Sequence, residues 1–317
     1  MRIRLWGVRG SVATPLSNEQ LRDKQRALLR SAAGVDLDDP AAIDAYLDAS
    51  EYGGTHGGNT SCVEVAFEDA VFVLDAGTGI RALGAELMRD GRGSAMPIHC
   101  FFTHFHWDHI CGFPFFAPIY QPERQISIWS GRSDAGRLLA GQMNDAYFPV
   151  KWDRIPARID CVQLHPDAVQ EVAGAEVRIL PMLHPDKAYG YRIERGGRAL
   201  CYLTDTEISK DANRLERIYA DFVEGSDVVI VDAMYGFLEY HEHVNFGHSN
   251  IFNWIDFFRG SRIGELVIFH HDPLASDEDI HQLCTASQRY RELVAPEATW
   301  RISAAREGMR WDLPPIG

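Results

Sequence analysis

The apolar positions of this chain follow two rhythms. Short runs rich in Val, Ile and Phe read as strands, and longer stretches with apolar residues every three or four positions read as amphipathic helices. The runs predict strands at residues 3–8, 62–67, 71–74, 98–103, 126–130 and 159–164. Further strands are predicted at 177–183, 189–194, 199–203, 228–232 and 266–269. Helices are predicted near 80–89, 213–223, 249–258 and 277–292. Strands with hairpin-like neighbours and helices between them imply sheets covered by helices in layers. With no internal repeat and no low-complexity linker, residues 1–317 are expected to form one domain.

Residues 17–50 stand apart: they are polar, helix-prone and rich in Ala, Leu, Asp and Arg. They separate Arg9-Gly10-Ser11 from Gly57-Gly58-Asn59-Thr60-Ser61. A surface helical insertion and a lid that shapes specificity are both consistent with that pattern.

Composition narrows the class. A chain of 317 residues, 46% hydrophobic and 24% charged, can build a large core. No apolar run approaches the roughly 20 residues that span a bilayer, and the run near 113–119 contains Pro114 and Pro118. The N-terminus reads as a strand and not as a signal peptide, so a cytoplasmic location and no membrane partner are expected. Six cysteines without a CxxC pair suit reduced, buried thiols, which leaves histidine and carboxylate as metal ligands. The net charge of −14 argues against long nucleic acid but permits a small phosphodiester substrate.

Against that background one segment dominates, Thr103-His104-Phe105-His106-Trp107-Asp108-His109. Alternate residues of a strand share a face, so His104 and His106 point the same way. The chain must then turn to bring Asp108 and His109 beside them. Imidazole and carboxylate so concentrated suit zinc, and also manganese or iron.

His104-x-His106-x-Asp108-His109 resembles the signature of the metallo-β-lactamase superfamily. The resemblance implies an α/β fold, a four-layer αββα sandwich, with two divalent metal ions at one edge of the sheets. It extends along most of the chain. Val73-Leu74-Asp75-Ala76-Gly77 is similar to the loop beneath the metals, which makes Asp75 a supporting residue. Leu183-His184-Pro185 implies a ligand at His184, and Tyr202-Leu203-Thr204-Asp205-Thr206 implies a bridging carboxylate at Asp205. Leu266-Val267-Ile268-Phe269-His270 implies the last ligand. By this resemblance His104, His106 and His184 hold one metal, Asp108, His109 and His270 hold the other, and Asp205 is shared. His271 follows immediately; position at the strand end favours His270, leaving His271 as a support or a substrate contact.

Two metals so placed activate water for attack on phosphorus or a carbonyl carbon. The superfamily applies this to β-lactams, thioesters, lactones and phosphodiesters, so substrate must be read elsewhere. Phe246-Gly247-His248-Ser249 resembles the Gly-His-Ser-Thr loop of RNase Z-like phosphodiesterases, with Asn250 in place of the threonine. That implies a catalytic His248 alongside Asp108; the same residues also read as a helix start with Ser249 as N-cap. Asn59, Thr60 and Ser61 resemble the Asn-Thr-Ser loop of that branch and are candidate substrate contacts. Arg192 and Arg81 are candidate phosphate ligands, or surface ion-pair partners.

More finely, Leu5–Ser11, Gly77–Arg81, Thr103–Phe116 and Phe269–Pro273 resemble bacterial metallo-hydrolases related to cyclic nucleotide phosphodiesterases. A small cyclic mono- or dinucleotide is the substrate this implies. The alternatives are an RNase Z-type endonuclease, for which no Gly/Lys/Arg-rich arm is visible, and a thioester or lactone hydrolase, which would leave His248 without a purpose. A binding protein that keeps the fold, and a flavodiiron protein, fit the intact ligand set less well. Tyr147-Phe148-Pro149-Val150 either packs across a homodimer interface or lines the pocket.

Overall fold

The strand Val71–Leu74 shows what organises the molecule. Phe72 and Leu74 face one side, Val71 and Val73 the other, and all four are fully buried. A strand apolar on both faces requires a packed layer on each side. The computed structural model, described for residues 1–92, 96–122, 124–208 and 213–316, provides those layers.

The first sheet has the order β14-β1-β2-β3-β4-β5-β6. Its members are β1 (Arg2–Gly7), β2 (Cys62–Ala66), β3 (Val71–Leu74), β4 (Ile98–Phe102), β5 (Gln125–Ser130), β6 (Arg158–Gln163) and β14 (Arg310–Asp312). The second has the order β13-β12-β11-β10-β9-β8-β7. It contains β7 (Gln170–Val172), β8 (Ala175–Pro181), β9 (Tyr189–Arg195), β10 (Arg198–Leu203), β11 (Val228–Asp232), β12 (Glu265–Phe269) and β13 (Arg301–Ala304). In each sheet an antiparallel half joins a parallel half: β3 to β6 run parallel, as do β10 to β13.

Three apolar layers follow from this stacking. Leu5, Val65, Phe72 and Phe101 of the first sheet meet Ile179, Tyr191, Ile230 and Val267 of the second between the sheets. Outside the first sheet, Val73, Cys100 and Phe102 pack on Ile80, Leu83 and Leu87 of the helix Ile80–Arg89. Outside the second, Val229, Val231 and Ile268 pack on Tyr219, Trp254 and Phe258, from the helices Asn213–Val223 and Ile251–Phe258, and on Cys284 of Asp277–Val294. The result is the four-layer αββα sandwich expected from the motif resemblance.

The predicted strands and helices are all present, with ends shifted by a few residues. Three strands had no usable signal. β7, β13 and β14 are short and lie at sheet edges, each with at least one exposed face, so their apolar content is too sparse to stand out. The helix near 249 begins one residue later than a Ser249 cap would give: Asn250 is the N-cap and accepts from Asn253 N–H. The Ser249 hydroxyl instead accepts from Ile208 N–H and donates to the Thr206 carbonyl.

Residues 17–50 form two helices, Asn18–Ser31 with a Ser17/Gln20 capping box and Pro40–Ala49 with Asp39 as N-cap. Neither buries a residue. Lys24 reaches Asp277 at 2.7 Å, and a cleft of about 1250 Å³ lies between these helices and the Asp277–Val294 helix. Among the described residues no helix is long and apolar enough to cross a membrane, and all six cysteines are free.

Phe101 sits between the sheets with its ring 5.0 Å from Phe72, 5.6 Å from Tyr191 and 6.0 Å from Trp129. Phe101→Ala should lower the unfolding free energy by about 3–5 kcal/mol, measured by urea denaturation. A loss below about 1 kcal/mol would mean that the sheets do not pack through this residue.

Candidate metal centre

Five strands of the parallel halves point their C-terminal ends at one edge, the place where α/β sheets leave a crevice for ligands. The residue just past β3 is Asp75, β4 leads into His104, and β10 leads into Asp205; Asp232 ends β11 and His270 follows β12. Asp75, Asp205 and His270 adopt left-handed backbone, with φ of 59°, 55° and 60°. Such conformations cost about 1–3 kcal/mol each in non-glycine residues and persist where surroundings enforce them. Here they turn each side chain sharply off its strand toward a common point. Gly10 makes the approach possible, because a Cβ there would overlap the His270 ring.

Among the described residues three groups of donors come together, and two of these sets form the centre. His104, His106, His184 and Asp205 form one, and Asp108, His109, Asp205 and His270 the other; within each set the donor atoms lie within 4.8 Å of one another. The third group, Asp232, His248 and His270, shares His270 with the second. His109 Nε2 is 3.1 Å from Asp205 Oδ1 and 3.2 Å from Asp108 Oδ2. His270 Nε2 is 3.1 Å from Asp108 Oδ2, and His184 Nε2 is 3.1 Å from His106 Nδ1.

The ring orientations are fixed from behind. His109 Nδ1 lies 2.8 Å from Asp75 Oδ2. A carboxylate only accepts, so Nδ1 carries a proton and Nε2 is left facing Asp205 and Asp108. Burial would lower the pKa of this ring, but Asp205, Asp108 and Asp75 raise it well above an ordinary imidazole. Asp75 also accepts from Thr103 N–H at 2.9 Å and from the Tyr202 hydroxyl of the opposite sheet at 3.1 Å. His184 is set the same way, with Nδ1 donating to the Gly247 carbonyl at 3.0 Å. Ser11 N–H donates to Asp108 at 2.8 Å, bringing in the loop before the helical insertion.

Charge reinforces the geometry. Burial alone would raise the Asp205 carboxyl, but His109, His270 and His104 hold it well below the usual carboxylate range. His104 is pushed the other way, well below an ordinary imidazole, by burial and by its histidine neighbours. Its Nε2 is buried without a hydrogen-bond partner and lies 3.6 Å from Asp205 Oδ2. A buried imidazole nitrogen without a partner, gathered with buried carboxylate oxygens, is costly unless cations sit among them. The donor set therefore fits a pair of divalent metals, with Asp205 common to both.

Several sequence candidates lie elsewhere. Arg192 is not at this edge: it donates to the Phe222 and Glu224 carbonyls and to Ser226, just before β11 begins, whereas the donor sets lie where β11 ends. It also pairs with Glu194 at 2.9 Å, so its guanidinium is committed to joining strand and helix. Arg81 is exposed on the first turn of Ile80–Arg89. His271 is buried, turned away, and bonded through Nε2 to the Ala305 carbonyl at 2.8 Å; burial lowers its pKa to about 3, so it is neutral and closed to substrate. Thr60 and Ser61 are buried as well, and Thr60 exchanges paired bonds with Thr78 at 2.9 Å. Asn59 donates its side-chain amide to Glu307 at 2.9 Å. The Asn-Thr-Ser segment thus braces the loop behind the site.

His248 does approach, with its ring 5.0 Å from His270 and 5.7 Å from His184. Its Nδ1 lies 2.8 Å from Asp232, a residue that sequence reasoning treated only as a strand end. The available signal was positional: like Asp75, Asp205 and His270, Asp232 is a ligand-type residue at the C-terminal end of a buried strand. Burial disfavours the charged ring, yet Asp232 outweighs it and lifts His248 to about 9.

Residues 71–271 match the family model described as the β-lactamase superfamily domain. The chain belongs to the β-lactamase superfamily. A ribonuclease Z from Haloarcula marismortui is 27% identical over 146 residues, 44% of this chain and 43% of that relative, so the match spans less than half of the curated protein. The metallo-β-lactamase fold protein YhfI from Bacillus subtilis superposes with a TM-score of 0.63 at 14% identity, covering 98% of each chain. A diphosphatase of the PhnP family gives 0.60 at 17% identity, covering 99% of this chain and 98% of the other. At those identities the structures share the fold. The fold of this superfamily implies divalent metal ions, and the donor sets described above are of the kind that hold them.

If Asp75 orients His109, Asp75→Asn should weaken one bound cation by about 10–100-fold, read by calorimetric titration. An unchanged affinity would remove that role from Asp75.

Proposed function

We propose that the chain is a dinuclear metal-dependent phosphodiesterase acting on a small cyclic mono- or dinucleotide, with zinc as the first choice of metal. The observation that carries this reading is the Asp232–His248 pair, 2.8 Å apart, beside both donor sets. Cleaving a phosphodiester expels an alkoxide, which departs more readily when protonated. A carbon ester with a good leaving group has less need of such a donor.

His104, His106 and His184 would hold one cation, and Asp108, His109 and His270 the other, with Asp205 common to both. Bound there, the pair supplies Lewis acidity and neutralises charge developing on the phosphoryl oxygens. The protein's own steps then follow. Asp75 and Gly247 O keep Nε2 of His109 and His184 facing the centre. Water adds to phosphorus and releases a proton to solvent as the P–O bond to the leaving group breaks. His248, bonded to Asp232 through Nδ1, gives its Nε2 proton to the departing oxygen. The charged ring that Asp232 favours is the form required for that step.

One observation favours a second reading, an RNase Z-type endonuclease: the curated relative is a ribonuclease Z. Against it stands an excess of 45 acidic over 31 basic residues, poorly suited to neutralising a long phosphate backbone.

Metal-loaded protein should hydrolyse a cyclic mono- or dinucleotide in a chromatographic assay that also offers a precursor transfer RNA and a thioester, and a chelator should abolish turnover. Cutting of the transfer RNA alone would transfer the protein to the second reading. His248→Ala should keep both cations and lose about 10²–10⁴-fold in rate, and Asp232→Asn should move in the same direction. Full activity in His248→Ala would refute the proton-donor role.

A further inference from the structure

Glu207 lies two residues beyond Asp205, outside both donor sets. Its carboxylate splits between two backbone donors of the loop that carries His248: Oε1 accepts from Asn245 N–H at 2.8 Å and Oε2 from Gly247 N–H at 3.0 Å. Asn245 and Gly247 both have positive φ, 72° and 87°. These two N–H groups converge on the Glu207 carboxylate, while the intervening Phe246 N–H donates to the His243 carbonyl at 3.1 Å. Gly247 in turn receives His184 Nδ1 on its carbonyl at 3.0 Å, and a Cβ on Gly247 would overlap the His184 ring.

The main chain of Glu207 closes the same circuit. Its N–H donates to the Leu183 carbonyl at 2.7 Å, immediately before His184. Thr206, adjacent, accepts from Leu183 N–H at 3.1 Å. Glu207 is therefore bonded to the residue before His184 on one side and, on the other, to the N–H of Gly247, whose carbonyl accepts from the His184 ring. His109 depends on a different carboxylate, Asp75.

We propose that Glu207 is a positioning residue for His184, setting the affinity of the His104–His106–His184 donor set without affecting the Asp108–His109–His270 set in the same way. This rests on the reading that the two sets hold cations. Glutamine cannot replace the carboxylate, because one end of its amide must turn an NH₂ toward a backbone N–H. Glu207→Asp keeps the charge but is one methylene too short to reach both donors.

The test uses cobalt(II) as the probe, titrated into the full-length chain freed of metal, with calorimetry and visible absorption as readouts. The wild-type chain should bind two equivalents. Glu207→Gln should bind one as the wild type does and the other about 10–100-fold more weakly. In a His184→Ala background the same change should have almost no further effect, because the residue it orients is gone. Should Glu207→Gln not fold, judged by near-ultraviolet circular dichroism, Glu207→Asp is expected to show the same selective weakening. Two equivalents bound by the wild type and equally well by the variants would overturn the proposal alone, as would equal weakening of both. A wild-type chain that binds no cobalt would overturn the two-cation reading together with it.

Discussion

Five imidazoles and two carboxylates converge on one edge of this molecule, most of them buried, and that convergence is the constraint from which the rest follows. Such a set cannot be assembled by neighbouring residues on one element, because hydrogen-bonding and desolvation costs must be met from several directions. The protein draws it from both sheets. Each sheet presents the C-terminal ends of its parallel strands, and the apolar layer between the sheets holds those ends in register.

The left-handed residues connect the fold to the chemistry. Asp75, Asp205 and His270 are each bent off a strand whose other residues are deeply buried, and that burial holds the backbone in a conformation it would otherwise avoid. Aspartate and histidine tolerate the region better than branched residues do, so the residue types needed as ligands also suit the turns that deliver them. The Tyr202–Asp75 bond, running from the second sheet to the first, joins the two halves behind His109.

Around this rigid edge the loops differ in how firmly they are held. The segment from 57 to 61 is braced by Thr78, Glu307 and the backbone of Val8 and Arg9. The 245–249 loop is tied by Glu207, Asp232 and Thr206 to the strand ends that carry Asp205 and Asp232. The two helices between 17 and 50 are tied far more lightly, with the Lys24–Asp277 ion pair as a link to the body.

The sequence by itself determined the layered fold and most of the donor set. Buried strands and amphipathic helices are written in local periodicity, and His104, His106, Asp108 and His109 lie within six residues, close enough for their spacing to be read. His184, Asp205 and His270 became legible through the motifs around them, since each ends or follows a strand. What only the tertiary structure decided is which side chains share space across long separations. Asp232 lies 16 residues from His248, and Glu207 lies 40 from Gly247. Arg192, Asn59 and Thr60 look like phosphate contacts in one dimension, yet their side chains bond within the protein, and Ser61 is fully buried beside them. His270 and His271 are adjacent in the chain, and one turns toward Asp108 within the donor sets while the other is bonded to the Ala305 carbonyl. The physical reason is common to all these cases: a residue type specifies which bonds it can form, but only the packed fold specifies which partner is there to form them.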